Sequence, residues 1–340
     1  QNFNRYKYRK GGLSFKIFCI LIFSFHFLTI SDLAIFRKTW SMRLILTLIV
    51  LFALATGLRA QSPSCLPCDS LRNQAGIIFC DDFESDAPLK DRYFGYDSDN
   101  GEFIRMKGVG RGGSHGMRVR FQQGEVEAGV LQKAIGRSPD PGMTNSSMPD
   151  SNFQEIYWRI DIRHQPGWEG GGGDKLTRAT TIASKNWQQG MIAHVWSGGK
   201  PEQWDYLVMD PASGISPDGK LASQRYNDFK NLRWMGGARG KSPIFRADHV
   251  GNWYCVVAHV KLNTSGKSDG VFELWVNDEL QSARYDLNWH ADWNGGPESL
   301  GINAVFFENY WNKGSVKEQE RYFDNILIST RPISCGCDQQ

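Results

Sequence analysis

Polar and apolar side chains alternate along much of this chain, and the alternation has the period of a strand. Between Val260 and Arg284, Val271, Glu273 and Trp275 interleave with Phe272, Leu274 and Val276, so one set projects from each face of a sheet. A polar turn from Asn263 to Gly270 precedes this strand and Asn277-Asp278 makes a second tight turn after it. From Phe153 to Arg163 the same period sets Ile156, Trp158, Ile160 and Ile162 against Tyr157, Arg159, Asp161 and Arg163. Further strands are predicted at Ile77 to Glu84, Met117 to Phe121, Thr180 to Ser184 and Gly190 to Ser197. Tyr206 to Met209, Trp253 to Leu262, Ile302 to Phe307 and Arg321 to Ser329 complete the set. Prolines mark Ser138 to Asn152 as a loop, and Gly170 to Gly173 mark another from Pro166 to Asp174. Ala212 to Asp248 is polar and irregular and reads as a long excursion over one sheet. No long 3.6-residue period and no internal repeat is present, so the class is an all-β sandwich of two antiparallel sheets.

The first 60 residues have a different character. Met42 opens a pattern of secretory type: Arg43, an apolar run from Leu44 to Ala55, and small Ala60 before a cut. Residues 1–41 read as translated sequence upstream of that start. Their apolar run, Ile17 to Ile30, is about 14 residues, short for a membrane span. Residues 61–340 are expected to form one exported β-sandwich domain, with no membrane span in the mature chain.

Net charge is +3 over the whole chain, but residues 1–60 carry nine Lys and Arg against one Asp, so residues 61–340 are slightly acidic at −5 and a nucleic-acid partner has no electrostatic support. Cys65, Cys68, Cys80, Cys255, Cys335 and Cys337 make an even six beyond the leader, which in an exported chain favours disulfides in a pairing left open. Cys65-x-x-Cys68 and Cys335-x-Cys337 are expected to staple the two ends together rather than to ligate a metal.

The Asn263 hairpin and the strand Tyr322-Phe323-Asp324-Asn325-Ile326 resemble those of concanavalin-A-like jelly rolls, especially polysaccharide lyases of the alginate and glucuronan type. The resemblance covers roughly Phe153 to Ser329. It implies that the first strand, Ile77 to Glu84, pairs with the last, bringing Cys80 near Cys335. Gly172-Gly173-Asp174-Lys175-Leu176 is similar to a Gly-Gly-Lys-Leu segment of those lyases, with Asp174 and Thr177 as departures. Trp187 to Trp196 resembles their next core strand, which leads into a Tyr-x-Tyr strand; here Tyr206 is kept and Val208 stands at the second tyrosine. The implied partner is an extracellular polysaccharide.

Two chemistries suit such a fold. Glycoside hydrolysis needs paired carboxylates on one face, and the Glu-x-Asp-x-x-Glu strand of laminarinase-like enzymes is absent; Glu273 and Glu308 read as solvated or structural. Eliminative cleavage of a uronate polymer needs a cation or amide on the carboxylate, a base for the adjacent C–H and an acid for the departing oxygen. On one concave face the chain offers Lys175 or Arg159 as the cation, His194 as the base and Tyr206 or Tyr310 as the acid. Arg163, Gln188, Trp187, Trp196 and Trp311 are the candidate substrate contacts, indoles being suited to the apolar faces of sugars. Trp158, Trp253 and Trp275 are assigned to the core. No redox cofactor is required, and Asp82, Glu84 and Asp324 form a candidate structural calcium site where first and last strands meet. The alternative is a lectin-like, non-catalytic carbohydrate-binding module.

Overall fold

The computed structural model describes residues 67–170, 172–293 and 300–336; the leader pattern, Cys65 and Cys337 lie outside them. In chain order the strands are β1 (Ile77–Asp81), β2 (Gly95–Asp97), β3 (Phe103–Lys107), β4 (His115–Phe121), β5 (Glu127–Ala134), β6 (Glu155–His164), β7 (Lys175–Ile182) and β8 (Gln189–Ser197). They continue with β9 (Leu207–Ser213), β10 (Arg233–Trp234), β11 (Ala238–Arg239), β12 (Trp253–Lys261), β13 (Gly270–Val276), β14 (Glu279–Leu287), β15 (Ala304–Tyr310) and β16 (Gln319–Ser329). One sheet has the order β14-β13-β12-β6-β16-β4-β3, with β1 also on β16. The other has the order β10-β9-β8-β7-β15-β5-β2, with β11 also on β9. The pairing of β1 with β16 is antiparallel, so the first and last strands do meet. Among the described residues no helix is long and apolar enough to cross a membrane.

The alternation read from sequence becomes the two faces of the first sheet. In β13, Phe272, Leu274 and Val276 are buried while Val271, Glu273 and Trp275 are not. In β6, Ile156, Trp158, Ile160 and Ile162 join the core. Each fully buried Phe or Leu of this kind contributes about 2 kcal/mol. Asn277 and Asp278 both have positive φ, 51° and 64°, which gives the two-residue hairpin turn the twist its flanking strands require. A bulge between Asp324 and Leu327 interrupts the β16–β6 register, and Asn325 occupies it with φ 51°.

The two layers are joined by polar contacts as well as by packing. Trp158 on β6 donates its Nε1–H to Thr177 Oγ1 on β7 at 3.1 Å, and that hydroxyl donates to the Phe306 carbonyl at 2.7 Å. Arg321 on β16 is fully buried and crosses to the second sheet, where its Nη1 lies 2.6 Å from Asp174 Oδ2. Its Nη2 donates to the carbonyls of Lys175 and Glu308 and to Asn309 Oδ1. A buried charge is tolerable when paired and hydrogen-bonded in this way, here with Arg321 Nε and Asp174 Oδ1 left over without a partner among the described residues.

Two disulfides occur among the described residues, Cys68–Cys80 and Cys255–Cys335. Cys68 and Cys335 are therefore not joined across the two ends as the staple expectation had it, and its other two cysteines, Cys65 and Cys337, lie outside the described residues. Cys80 closes a loop onto its own leader, and Cys335 is tied to the first sheet beside Val257.

Candidate functional site

Cross-strand register builds a row of side chains on the second sheet. Gln132, Phe306, Arg178, His194 and Asp210 are successive partners on β5, β15, β7, β8 and β9. Directly paired residues project from the same face. Their neighbours Ala179 and Val195 belong to the core, so this row faces away from it. Lys175, Trp196 and Val208 form the adjacent row. A bulge between Lys175 and Thr177 brings Lys175 to this face, whereas Thr177 faces Trp158 in the core.

Arg178 is the hub. Its Nη2 is 2.9 Å from Glu308 Oε1 and also donates to the Tyr226 hydroxyl. Nη1 donates to Asn227 Oδ1 at 2.9 Å and lies 3.3 Å from His194 Nε2. The guanidinium packs over the rings of Tyr226 and Phe306, at 4.8 and 5.0 Å from their centroids. Tyr226 and Asn227 come from the excursion between β9 and β12, which covers part of this face as expected. Asn227 is itself held there by its N–H donating to Gln189 Oε1 at 2.8 Å.

Electrostatics follow from burial. His194 is held well below the usual imidazole value by desolvation, with Arg178 and Lys175 adding to the effect, so it is neutral at ordinary pH. Its Nδ1 is buried without a hydrogen-bond partner, as is Glu308 Oε2, which lies 4.0 Å from His194 Nε2. Burial also lowers Lys175, an effect that Glu308 opposes. The Lys175 ammonium lies over the Tyr310 ring at 4.3 Å and the Phe229 ring at 5.7 Å, and among the described residues it forms no ion pair. Tyr226 is raised to about 12, chiefly by burial.

The structure thus brings Lys175, His194, Trp196 and Tyr310 together, and His194 stacks on Trp196 with centroids 5.8 Å apart. Trp187 joins the same face, packing on Tyr226 and Phe306 and donating its Nε1–H to Asp140. Gln188 is committed to the Ser223 carbonyl. Other candidates are elsewhere. Arg159 and Arg163 lie on the first sheet, on the face opposite the core residues of β6; Arg159 is buried against Asp161, and Arg163 lies over Trp253 and Tyr322. They are on the wrong layer to act with Lys175. Tyr206 sits just before β9 at the sheet edge, under Arg239 at 4.3 Å, with no bond to the Lys175 and His194 group among the described residues. Trp311 is 0% exposed, stacked on Trp168 in the core, because strand register past Tyr310 turns it inward. Trp253 and Trp275, assigned to the core, lie instead on the outer face of the first sheet and are only half-buried.

The carboxylates considered for calcium do line one cavity of about 450 Å³, together with Arg111 and Arg159. Each is already engaged by hydrogen-bond donors. Asp82 accepts the Cys68 N–H, Glu84 accepts His115 through both oxygens, and Asp324 accepts the Arg111 N–H and the Ser114 hydroxyl. Arg111 Nη1, 3.2 Å from Asp161 Oδ2, brings a cation to the place where one would be needed. Among the described residues no three His, Cys, Asp or Glu side chains group to hold a metal ion, so this donor set does not fit calcium.

No family model and no curated protein sequence matches the chain. Among solved structures, alginate lyase vAL-1 from Chlorella virus superposes with a TM-score of 0.53 at 14% identity, covering 75% of this chain and 100% of that one. Endo-beta-1,4-glucuronan lyase from the fungus Trichoderma reesei does so with 0.51 at 11% identity, covering 78% and 100%. The chain has the fold of these lyases. It is a jelly roll of two antiparallel sheets, and at such identities the likeness concerns the fold alone. Arg178, Asp210, Tyr226 and Asn227 lie on this face and were not singled out from the sequence, while Glu308, read as solvated or structural, is buried and paired with Arg178. One signal for Arg178 was available, a lone charge inside the strand-forming run Thr177 to Ile182; the excursion gave none for Tyr226 and Asn227.

Proposed function

We propose that the protein is a secreted polysaccharide lyase that cleaves a uronate-containing chain by β-elimination on the outer face of the second sheet. The observation that carries this reading is Lys175, a 4% exposed residue whose ammonium sits between aromatic rings with no ion pair among the described residues, beside a neutral histidine. A cation that Glu308 and Glu127 act on only through space, with no ion pair of its own among the described residues, suits a carboxylate brought by the substrate. In the reading Lys175 neutralises the uronate carboxylate and so acidifies the adjacent C–H. His194 takes that proton at Nε2 once substrate binding has drawn away the Arg178 N–H that this nitrogen otherwise accepts, and the resulting imidazolium is steadied by Glu308. Tyr310 donates its phenolic proton to the departing glycosidic oxygen, leaving an unsaturated sugar at the new end.

The test is incubation with alginate, glucuronan and related polymers, followed in the ultraviolet for unsaturated ends. Lys175→Ala and His194→Gln are each expected to lower the rate by a factor of about 100 or more. Because His194 titrates well below 6.5, the acid limb of kcat/KM is expected below that pH. One observation favours a second reading, a non-catalytic carbohydrate-binding protein: Arg178 is capped by Tyr226 and Asn227, and His194 beside it is buried. A flat ultraviolet trace across the panel, with retention on an immobilised uronate polymer that His194→Gln leaves intact, would select it.

A further inference from the structure

We propose that Phe229 and Trp234 form a sugar-stacking subsite that holds one uronate unit of the polymer with its carboxylate toward Lys175. The inference rests on the uronate reading above and adds where a non-reacting part of the chain is held. Phe229 and Trp234 are 48% and 41% exposed, unusual for side chains of this size when the remaining large aromatics of the site are half-buried or buried. Their rings stack at 6.1 Å between centroids and 27° between planes, giving one broad apolar surface. Trp234 pairs with Ala212 across β10 and β9, and Ala212 shares its face with Asp210 and Val208. The platform therefore belongs to the same face as the Arg178 and His194 row.

Phe229 is also one of the two rings that hold the Lys175 ammonium. Trp234, Phe229, Lys175 and Tyr310 follow one another as aromatic, aromatic, cation, aromatic. Pyranose rings present apolar C–H faces that stack on aromatic planes, and a uronate adds one carboxylate at the ring edge. A neutral sugar would use the platform and leave the Lys175 ammonium without a direct carboxylate contact. An oligouronate satisfies both, so charge complementarity selects it as the occupant.

The test measures binding of defined oligouronates, and of their carboxyl-reduced neutral counterparts, by calorimetry in the His194→Gln background, which suppresses turnover. Phe229→Ala and Trp234→Ala are each expected to weaken oligouronate binding about tenfold, with melting temperature unchanged because both side chains are exposed. Trp234→Phe is expected to restore most of the loss. Carboxyl reduction of the ligand and Lys175→Met are expected to cost wild-type binding by similar factors. Unaltered affinity in both alanine variants, or equal affinity for the neutral oligomer, would overturn the subsite. The two readings fail separately. Wild-type protein that yields no unsaturated ends yet shows the tenfold losses refutes elimination and upholds the subsite. Active protein whose KM and oligouronate affinity ignore both alanine substitutions refutes the subsite alone.

Discussion

Asp210 faces His194 across the β8–β9 pair, and among the described residues it has no cationic partner. Burial alone raises its pKa from 3.8 to about 6. For a carboxylate the sign is unfavourable: between about pH 4 and 6 the folded protein holds this proton more tightly than the unfolded chain, so stability falls as pH rises through that interval. The shift corresponds to about 3 kcal/mol, and solvent on its exposed side reduces this to about 2 kcal/mol. Asp210→Asn is expected to stabilise the fold by that amount in urea at pH 8 and to change little at pH 3.5. An equal difference at the two pH values would contradict the assignment. At this scale the sequence was half legible. Lys175, His194 and Trp196 were singled out through segments resembling those of the lyases and Tyr310 because it ends a strand-like run, and the structure sets them on one face. Arg178 and Glu308 lay in such runs too, but their pairing across β7 and β15 depends on which strands become neighbours, which alternation does not encode.

Elements were more legible than residues, since period-2 alternation is a local signal with a physical cause. β6, β8, β12, β13 and β16 fall where the pattern puts them. β5 was missed because Lys133 occupies a buried position, its ammonium satisfied by the carbonyls of Arg92 and Asn145 rather than by solvent. β7 begins five residues earlier than its pattern suggested, directly after the glycine-marked loop that ends at Asp174. What fixes that early start is Arg321 on β16, which binds the Lys175 carbonyl and pairs with Asp174. Arg321→Met is therefore expected to cost about 3 to 5 kcal/mol, because it leaves Asp174 buried without its cation. Asp174→Asn in the same chain should recover part of the loss, as read by urea denaturation. A double variant no more stable than Arg321→Met would show that the pair is not what holds the strand. Loss of the Lys175 tether in both variants predicts impaired oligouronate binding even where stability returns.

Across the whole molecule, the two layers divide the labour. The second sheet carries Lys175, Arg178 and His194 on one face, while the first carries both described disulfides. Cys255 lies on β12 and Cys335 follows β16, with the Cys335 N–H donating to Asp278 in the β13–β14 turn at 2.6 Å. The end of the chain is thus fastened to a hairpin that the sequence specifies locally. Loop-closure entropy separates the two bridges: Cys255–Cys335 spans 80 residues and Cys68–Cys80 spans 12. In the chain-entropy model these lengths correspond to about 4.5 and about 3 kcal/mol. Serine replacement of Cys255 and Cys335 together is expected to cost about 1.5 kcal/mol more than replacement of Cys68 and Cys80, measured by equilibrium denaturation. Neither change touches the second sheet, so the rate per folded molecule, or the oligouronate affinity, should hold in both. If serine at 255 and 335 altered affinity while the protein remained folded, the two sheets would have to be mechanically coupled. The route would then run through β16, since Arg321 alone reaches from that strand to the backbone of both Lys175 and Glu308 among the contacts described above.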